Sequence, residues 1–357
     1  MKLLILTQKV DKNDDILAFM HSWINEFAKQ CEQVTVVCLY QGECELPDNV
    51  KVFSLGKDSI TNYELRITNK FKYLFRFYKY IWRERKNYDA VFVHMNAEYV
   101  VLGGWLWKLM SKKIGLWYAH GYVPLALKMA EKFADIIFTS TVSGCRLNSK
   151  KIKVVGQGID VEKFKSQKSK VKSNGKYKII TVGRISPVKD LETSINAIRI
   201  LIKKGINLQY DIIGGAGLPE QEKYLDDLKS LVKEKNLENN VNFLGSIPNK
   251  DIVLCYQAAD LFLNSSRTGS LDKTMIEAMA CGVPVLTCNE SMLEVLGDIK
   301  NSSMFAPGDS KILAEKAEII LGMKIEEKEN LSKKLRNIAV ENHSVQNLIT
   351  KILKNYE

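Results

Sequence analysis

The sequence predicts an α/β protein built from two Rossmann-like domains with parallel sheets, on three observations. Short apolar runs alternate with longer helical patterns, which is the signature of strand–helix–strand units. The alternation stops at one polar, basic stretch and then restarts. The 357 residues are enough for two domains of ordinary size. Apolar residues at 46% and charged residues at 26% describe a soluble globular chain and exclude wholesale disorder.

In the first half, strands are expected at Lys2–Thr7, Gln33–Leu39, Val50–Ser54, Ala90–His94, Ile114–Ala119, Ile136–Thr139 and Ile152–Val155. Helical periodicity falls between them at Ile16–Lys29, Glu64–Lys86, Tyr99–Lys112 and Leu125–Phe133. Ser166–Lys176 has no apolar periodicity and reads as a linker. The second half then runs as strand Lys178–Val182, helix Asp190–Lys203, strand Leu208–Ile213, helix Glu220–Lys235 and strand Val241–Leu244. Helix Lys250–Ala258, strand Leu261–Asn264, helix Met275–Ala280 and strand Val285–Thr287 follow, with helices to the end. The expected division is a first domain at 1–165, a linker at 166–176, a second domain at 177–340, and a C-terminal helix at 341–357 packing back on the first domain. Two such halves place a ligand cleft between the carboxyl ends of both sheets.

Charge and cysteine usage narrow the setting. Residues 1–175 carry 28 Lys and Arg against 17 Asp and Glu, whereas 176–357 carry 24 of each, so the whole excess of +11 sits in the first half. That asymmetry suits either an anionic partner of one domain or plain solubility. Seven cysteines without a C-x-x-C pair argue against a disulfide framework or a zinc site, and no metal is expected. The segment Met1–Gln8 is too short for the apolar core of a signal peptide, and no run reaches the ~18–20 apolar residues of a membrane span. A cytoplasmic protein is the expectation.

Four places are suited to an anion and a sugar. A strand ends at Gly183, Arg184 follows, and Lys189 stands at a helix start. Two cations beside helix-start amides form a diphosphate clamp, unless they are merely solvated. Ile212-Ile213-Gly214-Gly215-Ala216-Gly217 runs a strand into a glycine turn, although Glu220 breaks the dinucleotide fingerprint. Next, Asn264 leads into Gly269-Ser270-Leu271-Asp272-Lys273-Thr274 and a short helix carrying Glu277. Its carboxylate could accept two hydrogen bonds from a ribose diol, or simply complement the helix dipole. Finally, Trp117-Tyr118-Ala119-His120-Gly121 delivers a histidine at a strand end, either structural or facing the cleft.

Taken together these residues resemble glycosyltransferase family 4, the retaining transferases of GT-B fold. The likeness runs over nearly the whole chain and is strongest from about 150 to 310. It rests on Val154-Val155-Gly156-Gln157-Gly158-Ile159-Asp160, Gly183-Arg184-Ile185 with Lys189, Asn242-Phe243-Leu244-Gly245, Ala259-Asp260-Leu261, Glu277-Ala278-Met279-Ala280-Cys281-Gly282-Val283-Pro284 and Pro307-Gly308-Asp309, in the family's order. The resemblance implies a nucleotide-diphosphate sugar as donor substrate and no cofactor. Arg184 and Lys189 would bind its diphosphate, Glu277 its ribose, and His120 would lie near the transferred sugar. Gly183, Gly215, Gly269, Ser270, Leu271, Asp272, Lys273 and Thr274 complete the implied donor site.

Fixed cations would offset charge on the leaving diphosphate, so no metal is needed, and the chain has no Asp-x-Asp. The implied activity is that of a hexosyltransferase acting on a cell-envelope glycolipid or polysaccharide. The alternatives are a nucleotide-sugar-binding protein without transfer activity and a nucleotide-sugar epimerase. Three departures stand out: Gly269 occupies the position of the family's earlier glutamate, Gln157 replaces its usual asparagine, and the loop Gln8–Asp15 is acidic rather than glycine-rich.

Glu64–Lys86 holds eight basic residues against two acidic ones. At 100° per residue, Ile67, Phe71, Leu74, Phe75, Tyr78, Ile81 and Trp82 form one stripe, expected to face the core. Lys72, Arg76, Lys79 and Arg83 form a second, and Tyr73, Phe77 and Tyr80 a third. Cations and aromatics outside the core stripe suit either an interfacial helix on an anionic membrane, making the protein peripheral at the cell membrane, or a helix buried on two sides. Nothing specifies reading of nucleic-acid bases.

Overall fold

The computed structural model describes residues 1–14, 17–57, 66–165, 175–249 and 251–357. The chain forms two compact units, one of Met1–Gly158 with Val345–Glu357 and the other of Ile159–Ser344.

The first unit holds seven parallel strands: β1 (Lys2–Val10), β2 (Gln33–Gln41), β3 (Val50–Ser54), β4 (Ala90–His94), β5 (Lys113–Trp117), β6 (Ile136–Thr139) and β7 (Ile152–Val154). Their order across the sheet is β3-β2-β1-β4-β5-β6-β7. Both faces of β1 are buried, as its unbroken apolar run requires. Leu3 and Ile5 pack with Trp23, Phe27 and Phe92 on one face, while Leu4 and Leu6 pack with Ile81, Val91 and Trp107 on the other. The C-terminal helix Val345–Lys354 closes the first face, burying Leu348, Ile349 and Ile352 beside Trp23. Past its end the Tyr356 hydroxyl donates to the Val91 carbonyl at 2.8 Å.

The second unit holds β8 (Tyr177–Val182), β9 (Leu208–Ile213), β10 (Val241–Gly245), β11 (Leu261–Asn264) and β12 (Val285–Thr287), again all parallel, in the order β10-β9-β8-β11-β12. Successive residues of β8 face opposite cores, Ile179 toward Leu191, Ile195 and Tyr210, and Ile180 toward Tyr256, Phe262 and Met275.

Each sheet reverses its strand order once, at β1/β4 in the first unit and at β8/β11 in the second. Chain entering and leaving on opposite sides of such a point leaves a crevice beyond the strands' carboxyl ends, where open parallel sheets bind ligands.

Two expectations change. The boundary lies at Gly158/Ile159 rather than after residue 165, because Ile159, Val161 and Phe164 bury against Tyr256, Leu335 and Ala339. The expected C-terminal segment divides at Ser344, with 341–344 in the second unit and the helix Val345–Lys354 in the first. Most of the expected linker, 166–174, lies outside the described residues, as do the starts of the helices expected at Ile16, Glu64 and Lys250.

The helix Arg66–Arg83 presents its faces differently from expectation. Phe77 is buried against Tyr99 and Trp107, Tyr80 stacks on Phe53 at 5.1 Å, and Tyr73 is half-buried with them. Phe71, Phe75 and Trp82, placed in the core stripe by periodicity, are exposed. With aromatics on every side, the helix has no single apolar face for periodicity to find, and ring partners on the helix Ala97–Leu109 and on β3 decide its rotation.

Candidate active site

In the second unit the switch point is lined by Thr181–Arg184, Lys189, Leu191 and Asn264–Ser266. Two glycine loops meet there backbone to backbone. A Cβ on Gly214 would stand 1.9 Å from the Gly183 carbonyl oxygen, so only glycine fits. The Ile185 amide donates to the Gly215 carbonyl at 3.0 Å, fixing the loop that carries Arg184.

The loop after β8 is also stitched to the loop after β11. Ser265 Oγ donates to the Lys189 carbonyl at 2.8 Å and the Arg267 amide to the Val188 carbonyl at 2.9 Å. Asp190, in the left-handed region at φ 45°, accepts from Thr193 Oγ1 at 2.8 Å and from the Arg267 guanidinium.

The two predicted diphosphate cations therefore share one crevice but differ in state. Lys189 Nζ donates to Asp272 Oδ1 at 2.8 Å, and Asp272 Oδ2 accepts from Asn264 Nδ2 at 2.9 Å. Arg184 is exposed and has no carboxylate partner among the described residues. One cation is thus held in place and half-neutralised, while the other keeps its full charge for an anion.

Asp272 immediately precedes the helix Lys273–Ala280, and Glu277 lies one turn into it. Glu277 Oε2 accepts from the Tyr256 hydroxyl at 2.8 Å. Burial raises the Glu277 pKa, opposed by the Tyr256 hydrogen bond and by the positive charges of Lys273 and Lys163. Burial pushes Lys273 well below its usual range, against the pull of Glu277. Lys163 is lowered for the same reason and donates to the Asn249 carbonyl at 2.8 Å.

Around them Gly269 is buried with φ 67°, and the Ser270 carbonyl accepts from Asn289 Nδ2 at 2.8 Å. Leu271 is buried and Thr274 half-buried. Arg184 and Lys189 thus line one crevice, to which Asp272 is tied through Lys189 and Asn264, while Glu277 groups with Tyr256, Lys273 and Lys163.

In the first unit a cavity of about 420 Å³ opens at the other switch point. Gln8, His94, Met95, Asn96, Glu98, Tyr118, His120 and Tyr122 are among its lining residues. His120 lies beyond the end of β5 in an exposed loop, where its Nδ1 accepts from the Tyr122 amide at 3.0 Å. That bond leaves Nε2 as the ring atom open to a ligand. Asn96 Oδ1 accepts from Gln8 Nε2 at 2.9 Å, while its buried Nδ2 has no partner among the described residues.

Sequence reasoning missed Gln8, Asn96 and Glu98. The signal was available, because β4 ends at His94 just as β5 ends near His120, and Met95 takes φ 64° to turn the chain there.

Residues 162–338 match the family model for glycosyl transferases group 1. The match covers most of the second unit and just under half of the chain. Over 173 residues the chain is 32% identical to the amylovoran biosynthesis glycosyltransferase of Erwinia amylovora, covering 46% of this chain and 41% of that one. It is 24% identical over 201 residues to the alpha-monoglucosyldiacylglycerol synthase of Streptococcus pneumoniae, covering 53% and 44%. The chain thus spans less than half the length of these two relatives.

Among solved structures, the HepE protein of Anabaena in complex with UDP aligns over 99% of both chains with a TM-score of 0.76 and 19% identity. Sucrose-phosphate synthase of Thermosynechococcus elongatus aligns over 100% and 98% with a TM-score of 0.75 and 16% identity. These likenesses establish the fold of the whole chain as GT-B. The group 1 match covers Arg184, Lys189 and Glu277, and His120 lies outside it.

Proposed function

We propose that the protein is a retaining glycosyltransferase that moves a hexose from a nucleotide-diphosphate sugar to a hydroxyl of a cell-envelope glycolipid or polysaccharide. The observation that carries this is the pair Arg184 and Lys189 at the switch point of the unit that matches the group 1 model, beside two glycine loops whose backbones touch. Solved structures of the same fold bind UDP and UDP-glucose, which makes a uridine diphosphate sugar the first donor to try.

In this reading the Arg184 guanidinium and the Lys189 ammonium offset negative charge as it grows on the departing diphosphate. Because Lys189 is already held by Asp272 and Arg184 stands on a loop fixed by the Ile185–Gly215 bond, little reorganisation is required when the bond breaks. Glu277 accepts from the ribose hydroxyls through the carboxylate oxygen that Tyr256 leaves open. The donor phosphate takes the proton of the incoming hydroxyl, so no side chain serves as nucleophile and no metal is called for. The first unit's cavity receives the acceptor, with His120 Nε2, the Asn96 amide and Glu98 offering donors and an acceptor suited to sugar hydroxyls.

A thermal-stabilisation screen against a nucleotide-sugar panel tests the reading. A ligand at a hundred times its Kd stabilises the folded state by about 2.7 kcal/mol. One nucleotide sugar should raise the melting temperature, and R184A/K189A should abolish that shift. A panel without effect, or a shift that survives the double substitution, overturns the donor site. Gly269 favours a second reading, in which the fold binds nucleotide sugar but transfers nothing. Product from an acceptor extract and the stabilising donor separates the two.

A further inference from the structure

The outward face of the first unit's helix pair carries apolar bulk that is exposed among the described residues. On Arg66–Arg83, Phe71 is 69% exposed, Phe75 70% and Trp82 52%. At 100° per residue these three fall within about 40° of arc. The neighbouring helix Ala97–Leu109 adds Leu102, Trp105 and Leu109, also exposed and sharing one face of that helix. Tyr78 joins the two rows. Its hydroxyl donates to the Leu102 carbonyl at 2.9 Å and its ring centre lies 6.4 Å from that of Trp105. Isolated surface apolar residues are ordinary, whereas six on adjoining helices around a shared tyrosine form a patch of the kind that marks an interaction site.

The charge beside the patch has one sign. Arg66–Arg83 contains six Lys and Arg and no Asp or Glu. Lys72 and Lys79 flank the aromatic ridge on one side, with Lys86 just past the helix end. None of the three has an ion-pair partner among the described residues. A second copy of the same surface would set these lysines against one another, an arrangement that like charges oppose. A surface that is both negatively charged and apolar beneath matches all of it, with aromatics entering the headgroup boundary and lysines meeting phosphates.

We infer that this two-helix face docks on an anionic lipid bilayer, with Phe71, Phe75, Trp82, Trp105 and Leu109 inserted and Lys72, Lys79 and Lys86 over the headgroups. The docking does not depend on the transferase reading, since a bilayer alone suffices to show it.

The test is flotation of the full chain with vesicles of phosphatidylglycerol and phosphatidylcholine, compared with phosphatidylcholine alone, at low and high salt. Binding is expected on the anionic vesicles and should fall as salt rises. Each surface lysine contributes about 1 kcal/mol, or fivefold, so K72Q/K79Q should weaken binding about 25-fold. F71S/F75S should abolish it while leaving the melting temperature nearly unchanged, since both side chains are already mostly in water. No binding to anionic vesicles, or binding indifferent to both variants, overturns the inference. So does patch-dependent self-association in analytical ultracentrifugation without vesicle binding, which would assign the face to a second copy.

Discussion

The hydrogen bond from Tyr256 to Glu277 gives a way to measure what Glu277 does before any ligand arrives. In Y256F the hydroxyl is lost while the ring and its packing on Phe164 and Phe262 are kept. In E277Q the charge is lost while the shape is kept. The bond is 2.8 Å long and its acceptor is a carboxylate facing Lys273 and Lys163, so it belongs with the charge-assisted bonds, worth about 1.5–3 kcal/mol.

Each single substitution should therefore cost about 1.5–3 kcal/mol, and the two together should fall short of the sum by about 1 kcal/mol or more. In a domain of 150–250 residues, 2 kcal/mol moves the midpoint by about 4–8 °C. Thermal unfolding followed by circular dichroism reads the stabilities, and calorimetric titration with UDP reads the affinities of the same four proteins. If the carboxylate also serves the ribose, E277Q should weaken UDP by about 1–3 kcal/mol, with a smaller loss in Y256F. Fully additive stabilities would refute the coupling. Unchanged UDP affinity in E277Q would refute the ribose role and leave Glu277 a structural acid.

Two further outcomes follow from the neighbouring groups. R184A should lower the transfer rate more than the UDP affinity, because the charge its guanidinium faces grows in the transition state; equal losses in kcat and in binding would contradict that role. The cysteines should divide by burial: Cys31 and Cys288 are pushed up to about 11 and Cys38 to about 12 by loss of water around the thiol. Cys44 and Cys255 are the two partly exposed thiols. Native protein should therefore react with a thiol reagent at pH 8 at no more than these two positions, and reaction at Cys38 would show the first sheet to be open.

The strands were legible because a parallel sheet buries both faces, so each strand is a short apolar run bounded by polar turns, and β3, β4, β6, β9, β11 and β12 match their expected limits. The group 1 segments were legible too, but partly for architectural reasons. Asp260 accepts the Lys178 amide at 2.8 Å where β8 begins, and Asp309 Oδ1 caps the helix Ser310–Gly322 through the Ile312 amide at 2.9 Å.

What sequence could not supply was partnership between distant side chains. Sequence marks Lys189 as a diphosphate cation but not that Asp272, far along the chain, holds it. It marks Lys273 as part of the donor loop but not that it faces Glu277. The rotation of the helix Arg66–Arg83 was hidden in the same way, since it depends on Tyr99 and Trp107 from another element.

Those pairings bear on the position where the chain departs from the pattern it resembles. Gly269 is buried with φ 67°, in the left-handed region that costs other residues about 1–2 kcal/mol. Restoring glutamate there means paying that strain and finding room for a carboxylate in a loop tied down through Ser270 and Asn289. Asp272 is engaged by Lys189 and Asn264, and Lys273 faces Glu277. In the proposed reading the backbone amides of the loop then serve the sugar, and they read position more than identity. G269E should accordingly lower the melting temperature and leave transfer no faster, whereas G269N, whose side chain tolerates the left-handed region, should keep both near the parent values. A tenfold gain in transfer by G269E would mean that the loop has a second conformation with room for the acid, and the assignment of sugar contacts to the backbone would fall with it.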